Sequence, residues 1–516
     1  MSPKTNPPTT FTSPYSSSIP ASSPPTGEKP LPSVDESEKK PLYNPPNASS
    51  PDTDPYLVDW DSPSDPANPS NWPLRQKLAF TLVGCSMIFS VSFSSSIFGP
   101  ATPATAARFH VSEEVMSLSV ALYVAGFAVG PLIFAPLSEI IGHAIPLSVA
   151  LVGCAVFQIP LALAQNVQTV LVARFCTGAV GSGVLAVGSG MMAELYGPVT
   201  RAVAIGFNAC MMNMGSTIGP IAGSFIVERY GWRWTGWVTL LVCVVVGLAA
   251  PFAIRETSRK RILVLKARRL RRETGDAGFH AKFEQETLTF AILAQKYFTL
   301  PMRMFVQEPI LIIMTVYLTL VYGTLYLSYQ MFSFAFKHRG WSAPVASLPF
   351  ISVTLGILAA WGTWSLFTMT WYKRQLKIKG SCPPEDRLPP MIMAACILPP
   401  ALLWFGWSMK THWAAQVISC FFVGYSLQLI FMSGVVYMVD VYIPRANSAI
   451  SIHVVVRSVV SASFPLWSTP MYRGIGVEWS ATILAVLSAV MIPSPILFRI
   501  YGRNIRAWSR FCDPDP

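Results

Sequence analysis

The sequence predicts an all-α integral membrane protein of twelve transmembrane helices in two six-helix bundles. Three observations carry that reading. Of 516 residues, 52% are hydrophobic and only 12% charged, with a mean hydropathy of +0.44, whereas soluble chains carry about 25% charged residues. Apolar runs of about 20 residues, the length that crosses a ~30 Å hydrocarbon core, occur as six, a basic gap, and six more. The ends of the fourth and tenth runs also repeat each other.

Taken in order, residues up to about Pro73 are rich in Ser, Pro and Thr and too poor in large apolar side chains to bury a core, so a disordered cytosolic tail is expected over 1–75. The sequon Asn47-Ala48-Ser49 would go unused there. Runs near 78–99, 115–137, 145–164, 169–193, 201–227 and 233–254 make an N-terminal bundle over 76–254. The segment 255–305 follows, with RETSRKRILVLKARRLRRE at its start. It reads either as a basic amphipathic helix on the membrane surface or as a solvated linker. Runs near 309–334, 345–369, 389–408, 412–439, 448–470 and 479–499 make a C-terminal bundle over 306–500, and 501–516 is a second tail.

Met192-Ala193-Glu194-Leu195-Tyr196-Gly197-Pro198 after the fourth run matches Met438-Val439-Asp440-Val441-Tyr442-Ile443-Pro444 after the tenth. Such internal duplication points to a polar site near the midplane between two halves. With both termini on one side, 29 of the 38 Lys and Arg fall in segments of that side and seven on the other. By the positive-inside rule that side is the cytosol. The same clustering explains the net charge of +12 without a nucleic-acid partner. Most of the nine cysteines fall inside apolar runs, where they are small buried hydrophobes rather than a disulfide framework. There is no visible cleavable signal, nucleotide-binding loop or metal-spaced cluster, so neither an enzyme nor any metal or cofactor is expected.

The fourth and fifth runs are dense in glycine, which costs roughly 0.8–1 kcal/mol per residue in a soluble helix but lets helices approach closely in lipid. Gly215, Gly219 and Gly223 recur every fourth residue on one face, and Pro220 can kink that helix. Arg174, His453 and Arg457 are the ionisable residues within the runs besides Tyr and Cys, and a charge there is a functional hypothesis by default. Snorkelling of Arg174 to the outer surface, and helix-end anchoring of His453 and Arg457, are the alternatives. Polar candidates for lining a cavity are Ser92, Ser94, Ser95 and Ser96, Asn208 and Asn213, Tyr322, Tyr326, Tyr329 and Gln330, and Gln428. That mix lacks a dedicated charged pocket and suits a neutral or weakly charged amphipathic organic molecule.

The glycine-rich Gly215-Ser216-Thr217-Ile218-Gly219-Pro220-Ile221-Ala222-Gly223-Ser224 resembles the antiporter motif of major facilitator superfamily transporters, specifically the fungal twelve-span drug:proton antiporter type, with Ser224 in place of a final glycine. Arg174-Phe175 with Gly178 resembles the fourth-span motif whose arginine the family assigns to proton coupling. Tyr56-Leu57-Val58-Asp59-Trp60 and Asp65 to Trp72 resemble the family's lead-in to its first span, and the resemblance covers roughly residues 57 to 510. Between the second and third spans the family's G-x-L-x-D-R-x-G-R-R is reduced to Ala135-Pro136-Leu137-Ser138-Glu139-Ile140-Ile141-Gly142-His143-Ala144. Glu139 and Gly142 are kept, and His143 replaces a permanent cation. The resemblance implies a proton-coupled exporter of drugs, toxins or secondary metabolites in the cell membrane, a monomer whose partners are its substrate, protons and lipid. Proton coupling and gating would then fall to Arg174, Glu139, His143, His453 and Arg457. An uptake carrier for a small nutrient on the same fold, or a transport-dead sensor, are the competing readings.

Overall fold

The computed structural model describes residue 54 and residues 56–284, 295–509 and 511. The tail and its sequon, up to residue 53, lie outside the described residues. Among the described residues the chain is helical, apart from loops and one isolated bridge between Leu57 and His280.

The first six crossings comprise α1 (Leu74–Ser96) with the short α2 (Thr102–Phe109), then α3 (Glu113–Gly126) and α4 (Val129–Ile141) as one broken crossing, then α5 (Ala144–Ala162), α6 (Val167–Leu195), α7 (Pro198–Tyr230) and α8 (Trp234–Ala253). The central segment forms α9 (Arg259–Thr274) and α10 (Leu300–Gln307). The second set comprises α11 (Pro309–His338), α12 (Ala343–Ser347) with α13 (Phe350–Phe367) and α14 (Lys373–Lys379), α15 (Pro389–Trp407), α16 (Trp413–Val441), α17 (Ala446–Ser461), α18 (Phe464–Met491) and α19 (Pro493–Ala507). Eleven helical stretches are long and apolar enough to cross a membrane, the last running from Ala446 to Ala507. Gly476, at φ 80° and ψ 166°, breaks that stretch, which makes the eleventh and twelfth crossings. Only glycine takes such a backbone conformation readily.

Local chemistry sets the helix starts. Asn166, Ser112 and Ser258 each accept a backbone N–H of the first turn of α6, α3 and α9, and Pro198 and Pro309 occupy the first positions of α7 and α11, where no N–H is needed. The outward faces are apolar: Phe252 is 88% and Leu248 68% exposed, with Leu82, Leu241, Leu366 and Val490 similarly bare. A continuous belt of that kind belongs in hydrocarbon, not water.

The lead-in to α1 is folded where a disordered tail is expected. Val58 N–H donates to the His280 carbonyl at 2.9 Å and His280 N–H returns to the Tyr56 carbonyl at 3.0 Å. Lys266 of α9 bonds Asp61 at 2.7 Å and the Asp59 carbonyl at 2.9 Å. In the central segment, α9 buries Leu263 and Ala267 but leaves Leu265 exposed, and Lys266 and Arg259 tie it to the strap and to Glu194 at the end of α6.

Between the sets, α7 packs against α13 and α16, while α3 packs against α17 and α18 and α4 against α17. These contacts place the ends of α4, α7, α13 and α17 on the face that carries the central segment, and Glu113, Lys337 and Arg473 on the opposite face.

Candidate functional site

The glycine face of α7 lies on the backbone of α1. A Cβ at Gly215 would stand 2.5 Å from the Phe89 carbonyl oxygen, one at Gly219 2.0 Å from Ser96 Oγ, and one at Gly223 2.3 Å from the Ile97 carbonyl oxygen. This close packing aims the other side of α7 at the second half. There, Thr217 and Thr354 hydroxyls meet at 2.9 Å, and Asn213 Nδ2 donates to Gln428 Oε1. Pro220 lines the cavity described below.

Arg174 is fully buried and does not snorkel. Its Nη1 and Nη2 donate to the Ser94 and Ser95 carbonyls, each at 2.6 Å, and its Nε to the Ser119 carbonyl at 3.2 Å. Ser94 and Ser95 end α1, where the last carbonyls lack helical partners, so a cation there caps the helix and suits its negative pole. The guanidinium also sits 4.3 Å from the Tyr123 ring centroid and 5.3 Å from that of Phe98. Carbonyls and aromatic faces, not a carboxylate, serve Arg174. Tyr123 was missed because an aromatic in an apolar run has no distinguishing signal.

Arg457 is also buried, at 3% exposure, yet differently served. Its guanidinium lies 4.2 Å from the Tyr322 ring centroid and 5.1 Å from that of Phe431, and its Nε has no hydrogen-bond partner. One turn away, His453 has both ring nitrogens buried and unpartnered. These two are core groups of the second half, not helix-end anchors.

A cavity of about 620 Å³ extends inward from Glu113, Lys337 and Arg473 to Ser96, Tyr326 and Gln330, within the range of small-molecule sites. Gln330 accepts from Ser468. Tyr326 lies at the cavity's inner end, its hydroxyl 3.3 Å from that of Tyr322. Asn208 does not join this site: it faces Gly188, where an added Cβ would meet its Nδ2 at 2.9 Å. Ser95 lies beneath the wall, its hydroxyl donating to the Ser92 carbonyl at 2.7 Å.

At the central-segment face, Asn447 Nδ2 donates to Glu139 at 3.3 Å across the halves, and Trp364 Nε1 donates to the Ala202 carbonyl at 3.1 Å. On the opposite face Arg473 pairs with Glu113 at 3.1 Å. The repeated acids after the fourth and tenth crossings each hold a loop arginine at 2.9 Å: Glu194 holds Arg259 and Asp440 holds Arg387. Arg387 was missed because, read alone, it is one more basic loop residue.

His143 is drawn into a network whose main anion is Glu256, a second residue the sequence did not single out. Glu256 Oε1 accepts from the His143, Thr257 and Ser258 N–H groups at 2.8–2.9 Å, and His143 Nδ1 meets Thr257 Oγ1 at 3.0 Å. Gly142, at φ +91°, makes room: a Cβ there would stand 2.1 Å from the Glu256 carboxylate. Burial pushes the His143 imidazole below its ordinary 6.5, with Glu256 and Glu139 pulling the other way. Because the latched ring titrates lower than a free one, its contribution is complete above about pH 6.5 and is lost as pH falls through the depressed value. The protection factors of the Thr257 and Ser258 amides, measured against their intrinsic base-catalysed exchange rates, are expected to fall between pH 7 and 5 in the native protein and to lose that dependence in His143→Asn; equal protection profiles would separate the latch from His143.

Two sets of six crossings around a buried polar layer, with a cavity between them and contacts across both faces, define a secondary transporter. Residues 84–465 match the model of the Major Facilitator Superfamily, and the chain belongs to that family. It is 43% identical over 461 residues to the "Citrinin biosynthesis cluster MFS transporter mrr1" of Monascus ruber, over 88% of this chain and 92% of that one. It is 41% identical over 480 residues to the "Ascochitine biosynthesis cluster MFS transporter" of Didymella fabae, over 92% of each. Among solved structures, its fold is similar to that of the proton:xylose symporter XylE, with a TM-score of 0.60 at 16% identity over 82% of this chain and 95% of that one.

Proposed function

We propose that this transporter exports small organic secondary metabolites across the cell membrane in exchange for protons, acting as a monomer by alternating access, with its termini and central segment in the cytosol. The observation that carries the reading is the cavity between the halves, walled on the α7 side by Pro220 and Ser224 and reaching Tyr326 and Gln330. The direction of transport is supported by relatives named for biosynthesis clusters, and the orientation by the excess of Lys and Arg on the central-segment face. Proton coupling draws on Arg174 and Arg457, buried within the crossings, and on His453.

In sealed vesicles of known orientation, a substrate gradient is expected to drive a counter-flow of protons, and an imposed pH gradient to drive substrate accumulation. Exchange that is indifferent to pH would sink the antiport reading. Deletion of the gene is expected to raise cellular accumulation of the substrate; a fall would favour uptake.

A further inference from the structure

The two arginines buried within the membrane crossings differ in one respect that points to a ligand. Three carbonyl oxygens satisfy Arg174, whereas no ion pair or hydrogen bond joins Arg457 to another described residue, its Nε is buried without a partner, and its guanidinium lies over the Tyr322 and Phe431 rings. A buried cation without an acceptor is costly. The described crossings hold no carboxylate near their middle, since Glu139, Glu194, Glu308 and Asp440 all stand at helix ends. Among the described residues nothing supplies an acceptor to the buried Arg457 Nε, so a bound ligand is a candidate to supply it.

The groups around it ask for the same thing. Gln428 spends its oxygen on Asn213, leaving its Nε2 a buried donor without an acceptor. Phe431, one turn further along α16, lies beside the guanidinium. Tyr322 and Tyr326, with ring centroids 5.1 Å apart, add two aromatic rings; Tyr322 carries the Arg457 guanidinium on its face and pairs its hydroxyl with that of Tyr326, which lines the cavity. The layer thus offers unsatisfied donors on one side and flat apolar surface on the other.

We infer that Arg457 is the counter-ion for the anionic head of a conjugated organic acid, held by its guanidinium and by Gln428 Nε2 while the ring system lies against Tyr322, Tyr326 and Phe431. An arginine suits a carboxylate because its planar fork donates two parallel hydrogen bonds. The opening of the Tyr322–Tyr326 pair admits the head from the cavity. This assignment deepens the exporter reading and replaces the expectation of a site without a charged pocket.

Purified full-length protein in lipid nanodiscs, titrated with 2-naphthoate, its methyl ester and 2-naphthylmethylammonium, tests it. The acid is expected to bind about tenfold or more tighter than the ester, and the cation weakest. Arg457→Gln is expected to erase the preference for the acid, and Arg457→Lys to keep part of it. Equal binding of acid and ester by the native protein, or an acid preference that survives Arg457→Gln, overturns the assignment. The native ranking decides even if a variant fails to fold. Vesicle flux separates the two readings: acid binding without transport rejects the exporter and keeps the anion site, whereas transport with no acid preference does the reverse.

Discussion

Gly219→Val is expected to reduce transport to below about a tenth of the native rate while the chain still inserts and runs as a monodisperse species. The added Cβ alone would meet Ser96 Oγ at 2.0 Å, the Ile97 backbone nitrogen at 2.9 Å and the Phe93 carbonyl oxygen at 3.1 Å. A side chain can rotate away, but the backbone of α1 cannot, so α7 must move. Overpacking of this kind costs about 1–3 kcal/mol, roughly a factor of 5 to 150 in an equilibrium. The displaced helix carries Asn213 and Thr217, which meet Gln428 and Thr354 of the other half, so the strain falls on the contacts that must exchange during rocking. Gly197→Ala, where nothing lies within 4 Å of an added Cβ, is the control and should transport normally. Native rates from Gly219→Val would detach the glycine face from the transport cycle.

Arg174→Ala should cost more, lowering both folded yield and transport. It leaves the Ser94, Ser95 and Ser119 carbonyls without their charged donor, and hydrogen bonds to charged groups are each worth about 1.5–3 kcal/mol. Arg174→Lys keeps the charge but not the fork that reaches three oxygens at once. It should therefore melt closer to the native protein and still transport at least about tenfold more slowly, the equivalent of roughly 1.4 kcal/mol. Thermal melting by fluorescence-detected size-exclusion, with vesicle transport in parallel, measures both effects. An Arg174→Ala protein with native melting and native transport would show the carbonyl clamp to be dispensable.

Much of the architecture was legible because it rests on local quantities. Run length against bilayer thickness located the crossings, although Gly476 rather than a polar loop divides the eleventh from the twelfth. The four-residue spacing of Gly215, Gly219 and Gly223 identified the face that meets α1. The polar candidates fared unevenly: Tyr326 and Gln330 reach the cavity, Asn213 and Gln428 bond each other across the halves, and Asn208 turns to α6. A residue's place on a helix says which neighbours share its face, not which helix that face meets. Glu256 and Arg387 were opaque for the same reason, their partners lying 113 residues away at His143 and 53 away at Asp440.

The amino-acid sequence alone determined that this chain is a twelve-crossing membrane protein with a duplicated plan, because hydrocarbon thickness and helical periodicity act on residues close together in the chain. It also marked Arg174 and Arg457 as the two charges sunk in the crossings. Only the tertiary structure decided what surrounds those charges. It brought the carbonyl-bearing end of α1 to Arg174 and the Tyr322 and Phe431 rings to Arg457, because a buried cation's surroundings are supplied by distant helices, and backbone oxygens leave no mark in a sequence.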